Sequence, residues 1–267
     1  MRVVVTRPER EAQRWVRDLS AQGVEALALP LIQIRPVSIP QDWIRGVQQG
    51  GRRIGVMFVS ANAADCFFLA DPCLVDLFGS TAIDGPRVWA TGPGTAKALL
   101  RAGVLPEKID VPPPGATQFD SEALWQIVHS QIRAGDCVLI VRGTDAVDGL
   151  DSGTGTGRDW FARQIAALGA KVEFVVAYQR CVPDFTARER DLARAAANDQ
   201  SVWLFSSAQA VQNLRRAFPE LNWSRGRALA THARIAASAR DAGFGVVWES
   251  RPTLSDVLAA LKSRDEL

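Results

Sequence analysis

The sequence predicts an α/β protein built on two doubly wound parallel sheets. Three observations carry this. Short β-rich runs alternate with helically spaced segments almost from end to end, the order that a parallel sheet with crossover helices requires. Most of those runs are continuously apolar rather than alternating, as in strands covered on both faces. The strands number about ten in 267 residues, which suits two sheets of about five better than one.

In chain order the strands fall at 3–6, 24–29, 54–59, 87–91, 108–111, 137–141, 171–178, 201–205, 227–231 and 245–248. Between them, 11–19 places Trp15, Val16 and Leu19 on one helical face, with Gly23 as its stop. The runs 96–100 with Gly103, 160–168 with Gly169 and 235–242 with Gly243 repeat that helix-then-glycine grammar. Prolines interrupt extended stretches at 33–40 and 178–183. Two such breaks predict a discontinuous layout. Residues 1–34 and 183–267 form one α/β domain, 38–176 an inserted one, and 33–38 with 177–183 a connecting ribbon.

Composition narrows the function. Hydrophobic residues make up 47% and charged residues 22%, with a net charge of +2. That mix excludes wholesale disorder and gives no nucleic-acid signature. No apolar run approaches the roughly 20 residues that span a bilayer, and no secretory leader is read at the start. Cys66, Cys73, Cys137 and Cys181 are scattered without a C-x-x-C, so neither a disulfide framework nor a zinc site is expected. A reducing cytoplasm and a monomer are the expectation.

Hydroxyl residues recur where strands end and helices begin: Thr6-Arg7, Ser60-Ala61-Asn62, Thr91-Gly92 through Thr95, Ser206-Ser207-Ala208, and Thr231-His232. Each fits a helix cap. Each equally fits a ligand-binding edge, because open parallel sheets bind ligands outside their strands' carboxyl ends and helix starts attract anions. His129 sits late in a helical run and reads as structural, whereas His232 is either a cap neighbour or a ligand contact. Two isolated histidines make no metal triad, and no G-x-S-x-G elbow is present. The glycine-rich run 149–157 lacks the ending of a phosphate loop. Tyr178 is the single tyrosine. At the second crossing it is either an amphipathic spacer or a chemical group.

Several of these motifs together resemble one family. Val4-Val5-Thr6-Arg7-Pro8, Phe58-Val59-Ser60-Ala61-Asn62, Ala90-Thr91-Gly92-Pro93-Gly94-Thr95, Val141-Arg142-Gly143, Tyr178-Gln179-Arg180 and Phe205-Ser206-Ser207-Ala208 stand in the order seen in uroporphyrinogen-III synthases, as does Ala230-Thr231-His232. The resemblance runs over essentially the whole chain. It implies two flavodoxin-like α/β domains joined by a two-stranded β ribbon, with the active site in the cleft between them. It implies hydroxymethylbilane, a linear tetrapyrrole with eight carboxylates, as substrate and uroporphyrinogen III as product. Ring D is inverted and water is lost, without metal or organic cofactor. Thr6, Arg7, Ser60, Ala61, Asn62, Thr91, Gly92, Thr95, Arg142, Gly143, Ser206, Ser207, Ala208, Thr231 and His232 are then the expected substrate contacts. The family's tyrosine falls on Tyr178, and a phenol with an unperturbed pKa of about 10 carries a proton at neutral pH. Transient hand-over from hydroxymethylbilane synthase is a further expectation, with no nucleic-acid or membrane partner. The loop 144–157 is longer than the family pattern leads one to expect. The alternative reading is a non-catalytic two-domain module that binds a small molecule.

Overall fold

The structure is a computed structural model that describes residues 2–39, 53–79, 86–113, 120–145 and 156–265. In chain order the elements are β1 (Arg2–Val5), α1 (Glu9–Ser20), β2 (Glu25–Ala28), β3 (Gln33–Pro36), β4 (Arg53–Phe58), α2 (Ala61–Ala70), β5 (Arg87–Ala90), α3 (Pro93–Ala102), β6 (Ile109–Asp110) and α4 (Ser121–Val128). They continue as β7 (Cys137–Asp145), α5 (Thr156–Ala167), β8 (Lys171–Cys181), α6 (Ala187–Ala196), β9 (Val202–Phe205), α7 (Ala208–Ala217), β10 (Arg227–Ala230), α8 (Ala233–Asp241), β11 (Val246–Glu249) and α9 (Leu254–Asp265). The ten predicted strands each coincide with one of these.

The chain divides into two compact units, Met1–Gln33 with Cys181–Leu267, and Ile34–Arg180. The first holds a five-stranded sheet in the order β2-β1-β9-β10-β11, parallel at every pairing. Renumbered along the unit this is 2-1-3-4-5, the flavodoxin-like order. The second holds a six-stranded sheet, β3-β8-β7-β4-β5-β6. Its strands β4 to β8 are parallel and stand in the order 3-2-1-4-5, also doubly wound. Both sheets are thus of the predicted class, and they differ in where the winding reverses. The segments expected as a ribbon are edge neighbours here: β3 adjoins β8, and the Val37 amide donates to the Ala177 carbonyl at 2.9 Å.

Local sequence explains the helices. α1 buries Ala12, Trp15 and Leu19 on one stripe while Arg10, Arg14 and Arg17 face water. Gly103 ends α3 at φ 100°, and Gly243 follows α8 at φ 95°; only glycine takes that conformation without strain. Helix α6 was not anticipated, although it opens with a capping box in which Thr186 and Glu189 satisfy each other's backbone amides. α5 starts at Thr156, four residues ahead of the predicted start at Trp160. Of the long loop 144–157, residues 146–155 lie outside the described residues.

Apolar packing covers both faces of the second sheet. Phe58, Phe67, Phe68 and Phe78 join Leu139, Val141 and Tyr178 on one face. Trp89, Leu124, Phe161 and Ile140 meet on the other. In the first unit Trp15 and Leu19 pack on Val3, Val5 and Leu204, while Trp203, Phe205, Trp223 and Phe244 form an aromatic cluster. Sheets held this firmly fix the positions of their strand ends, where the polar residues collect.

Candidate active site

Ligands of doubly wound sheets bind outside the carboxyl ends of the strands, at the point where strand order reverses. In the second unit the reversal lies between β4 and β7. Ser60 follows β4 there, and Arg142-Gly143-Thr144 close β7.

The pairing of β7 with β8 slips at this place. Arg142 faces Val176 but Gly143 faces Tyr178, leaving Ala177 as an extra residue. Such a bulge bends the strand and re-aims the side chain beyond it. The Tyr178 ring is thereby laid over Gly143: a Cβ added to Gly143 would stand 2.3 Å from Tyr178 Cζ. Glycine at 143 is therefore a steric requirement of the tyrosine's position.

The ring is buried at 3% exposure, and its hydroxyl meets two side chains. Tyr178 Oη lies 3.3 Å from Ser60 Oγ and accepts from Arg180 Nη1 at 3.4 Å. Ser60 Oγ also accepts the Ala63 amide at 3.1 Å and so caps α2. Arg180 Nε donates to Asp145 Oδ1 at 2.7 Å, and the two residues are direct cross-strand partners. Burial pulls the Arg180 guanidinium toward a lower pKa, but its hydrogen bond to Asp145 and its proximity to Tyr178 and Asp145 leave it above the ordinary arginine value. It stays charged at any working pH.

Ser60, Gly143 and Tyr178, all anticipated, are thus brought into one cluster. Arg180 and Asp145 were not among the expected contacts. The period of two along a strand, which sets residue 180 on the side of residue 178, was the available signal for Arg180. Arg142 is elsewhere: it continues the face of Ile140, the face opposite Val141, and its guanidinium sits 4.4 Å from the Phe174 ring centroid.

At the remaining junctions the choice between cap and ligand contact divides. His232 Nδ1 accepts the Arg234 amide at 3.1 Å and caps α8. Thr91 ties β5 to β4 by donating to the Val59 carbonyl at 3.3 Å. Thr6 is buried and donates to the Leu204 carbonyl at 2.8 Å, and Thr95 and Thr231 are buried too. In contrast α7 begins at Ser207 and α3 at Gly92 with no side-chain cap. The opening amides of α7 are not claimed by a cap side chain, the arrangement that favours an anion, whereas in α3 the first residue, Pro93, has no N–H and the Thr95 amide donates to the Gly92 carbonyl at 3.1 Å. Ser206, Ser207 and Ala208 are half-buried, as are Ala61 and Asn62 at the start of α2. Arg7 packs over Trp15, 4.6 Å from its ring centroid, and pairs with Glu11 at 3.2 Å. Burial lowers its pKa, against the pull of Glu11.

Ser60 serves both helix and phenol, and Ser60→Ala tests the first role. Loss of the cap lowers stability by about 1 kcal/mol, a fall in Tm of about 2–4 °C that thermal unfolding reads.

Fold and site together define a protein of two doubly wound α/β units that collects hydroxyls, an open helix start and a buried phenol at its strand ends. The comparisons assign it more narrowly. The family model described as "Uroporphyrinogen-III synthase HemD" matches residues 13–259. The uroporphyrinogen-III synthase of Escherichia coli K12 is 26% identical over 256 residues, covering 91% of this chain and 92% of that protein. That of Salmonella typhimurium LT2 is 27% identical over 251 residues, with 91% and 92% covered. Among solved structures, the uroporphyrinogen-III synthetase of Helicobacter pylori 26695 superposes with a TM-score of 0.57 at 15% identity, covering 98% of this chain and 99% of that one. A mutant synthase of Thermus thermophilus gives 0.53 at 18% identity, over 100% and 99%. The chain belongs to the uroporphyrinogen-III synthase family. This is a family of cofactor-independent cyclising lyases of porphyrin, tetrapyrrole and haem biosynthesis, and it acts on hydroxymethylbilane.

Proposed function

We propose that this chain closes hydroxymethylbilane to uroporphyrinogen III with inversion of ring D, and that the Tyr178 phenol protonates the departing hydroxyl. The observation that supports this reading is the phenol itself, held between Ser60 and Arg180 at the switch point of the second sheet.

The substrate is reactive enough to close unaided to the uninverted type I isomer. The protein's task is then largely to hold a conformation that favours attack at the substituted carbon of the terminal ring. The C–O bond of the hydroxymethyl group breaks with its electron pair on oxygen, and that oxygen takes the phenol proton and leaves as water. The phenolate recovers the proton that the substrate sheds as the ring closes. The net change is loss of one water. Contacts of 3.3 and 3.4 Å are long for a hydroxyl, as catalytic hydrogen bonds often are before substrate binds.

Binding follows from many modest anchors. Each helix-start contact to an exposed carboxylate is worth roughly 0.3–1 kcal/mol, whereas micromolar affinity needs about −8 kcal/mol after association costs of at least ~4 kcal/mol. Helix starts and strand-end hydroxyls supply such anchors, and ring burial adds the rest. We place the reaction in the cytoplasm, with the chain acting as a monomer that receives its labile substrate by transient hand-over from hydroxymethylbilane synthase. Among the described residues no helix is long and apolar enough to cross a membrane.

The test supplies freshly made hydroxymethylbilane and separates the products by isomer. Type III above the spontaneous type I background is the expected result. Type I alone, with the bilane nonetheless bound, would establish a non-catalytic binding module instead.

A further inference from the structure

Tyr178 Oη has two neighbours of unequal character. Arginine carries five N–H donors and no acceptor, so wherever it meets a phenol the phenol oxygen must accept. Ser60 Oγ can do either, and it already accepts the Ala63 amide. The Arg180 guanidinium is not free to turn away, because its Nε is anchored on Asp145 at 2.7 Å and the two stand opposite each other on β8 and β7. Its side chain is only 22% exposed.

We propose that Arg180, braced by Asp145, is a positioning residue that holds the Tyr178 oxygen as an acceptor and so directs the phenol proton away from itself. In the free protein that direction is Ser60 Oγ; with substrate bound it is the leaving hydroxyl. The fixed guanidinium charge also opposes the negative charge left on the phenol oxygen once its proton has gone, and so favours the transfer. The bulge at Ala177 is part of the device, because without it Tyr178 would not face Gly143 and the pair Asp145–Arg180 would not fall in register. This inference rests on the proton-donor reading for its catalytic meaning, but its physical core, the coupling of guanidinium to phenol, is testable apart from activity.

The chain offers a direct probe, since it holds one tyrosine beside eight tryptophans. The tyrosine Fermi doublet of the Raman spectrum, whose intensity ratio depends on whether the phenol accepts or donates, therefore reports Tyr178 alone. In Arg180→Gln, checked for native circular dichroism, the upper band of the doublet loses intensity relative to the lower one, as expected when the phenol oxygen stops accepting from a guanidinium. Turnover at neutral pH falls by about tenfold or more with KM little changed, and Arg180→Lys, charged at that pH, recovers most of it. In a Tyr178→Phe background the Arg180→Gln loss disappears. A doublet ratio that does not change overturns the inference, whatever Tyr178→Phe does. A doublet ratio that changes while Tyr178→Phe keeps parental turnover overturns the proton-donor reading and leaves the guanidinium–phenol coupling standing. Should Arg180→Gln fail to fold, Arg180→Lys with turnover below a tenth of the parent's at neutral pH counts against the inference.

Discussion

Replacing Tyr178 by Phe lowers kcat by about 10²-fold or more, within the 10²–10⁴ range that a positioned general acid supplies, and leaves KM close to parental. The split follows from the division of labour at the site. In the proposed function the carboxylates are anchored at helix starts and strand-end hydroxyls, of which the substitution touches only Ser60, whereas the phenol is the one proposed source of the proton for the departing hydroxyl. Folding is nearly spared. Phe keeps the ring over Gly143 and inside the cluster with Phe58, Leu139 and Val141. Arg180 keeps Asp145, and Ser60 keeps its capping bond. The lost hydroxyl costs about 1 kcal/mol. Steady-state kinetics with isomer separation checks the first part and thermal unfolding the second. Parental turnover in this variant would remove the phenol from the mechanism.

Gly143→Ala has the second large effect, and it acts on both stability and rate. A Cβ at that position would stand 2.3, 2.4 and 2.7 Å from three atoms of the Tyr178 ring, a distance that no packed carbon tolerates. Either the ring is displaced or β7 and β8 separate locally. Overpacking of this kind costs about 1–3 kcal/mol. A displacement of about 1 Å at the phenol costs about 10²-fold in rate. Gly55→Ala is the matched control. There a Cβ would lie 2.5 Å from the Trp89 indole, in the same sheet but with no phenol to move. Both variants lose stability by a similar amount, but only Gly143→Ala loses turnover out of proportion to its folded fraction. Equal losses of turnover in the two would show that Gly143 matters for folding alone.

The architecture was legible because its signals are local and repeated. Continuous apolar runs such as Val138 to Val141 announce a strand covered on both faces, and Gly103 and Gly243 stop helices by a conformation written in one residue. Strand β3 was expected only as one arm of the ribbon at 33–38 and not as a member of a sheet, because Gln33-Ile34-Arg35-Pro36 is short, polar and proline-ended, the composition that an edge strand tolerates and an interior strand does not. Helix α6 escaped although Thr186 and Glu189 stand at capping-box spacing; its mean apolarity is low and only Ala193 and Ala196 are buried, so periodicity offered little. The candidate site was legible in part. Ser60, Gly143 and Tyr178 stand in recognisable motifs, but Ser60 and Tyr178 are 118 residues apart, and no spacing rule predicts that their hydroxyls meet. The partnership of Arg180 with Asp145 depends on a one-residue slip in strand register, which sequence pattern does not reveal. Likewise, Ser60 and Ser207 read identically as strand-end hydroxyls, and only the structure separates the one that caps its helix from the one that does not.

The phenol of Tyr178 is proposed to protonate a poor leaving group. The most direct test gives parent and Tyr178→Phe a bilane whose terminal hydroxyl is replaced by an acyloxy group, which departs without a proton. The expected result is that the variant then forms the type III isomer at close to the parental rate, although it is about 10²-fold slower with the hydroxyl substrate. A variant equally slow with both substrates would contradict it, because its defect would then lie in holding the bilane rather than in delivering a proton.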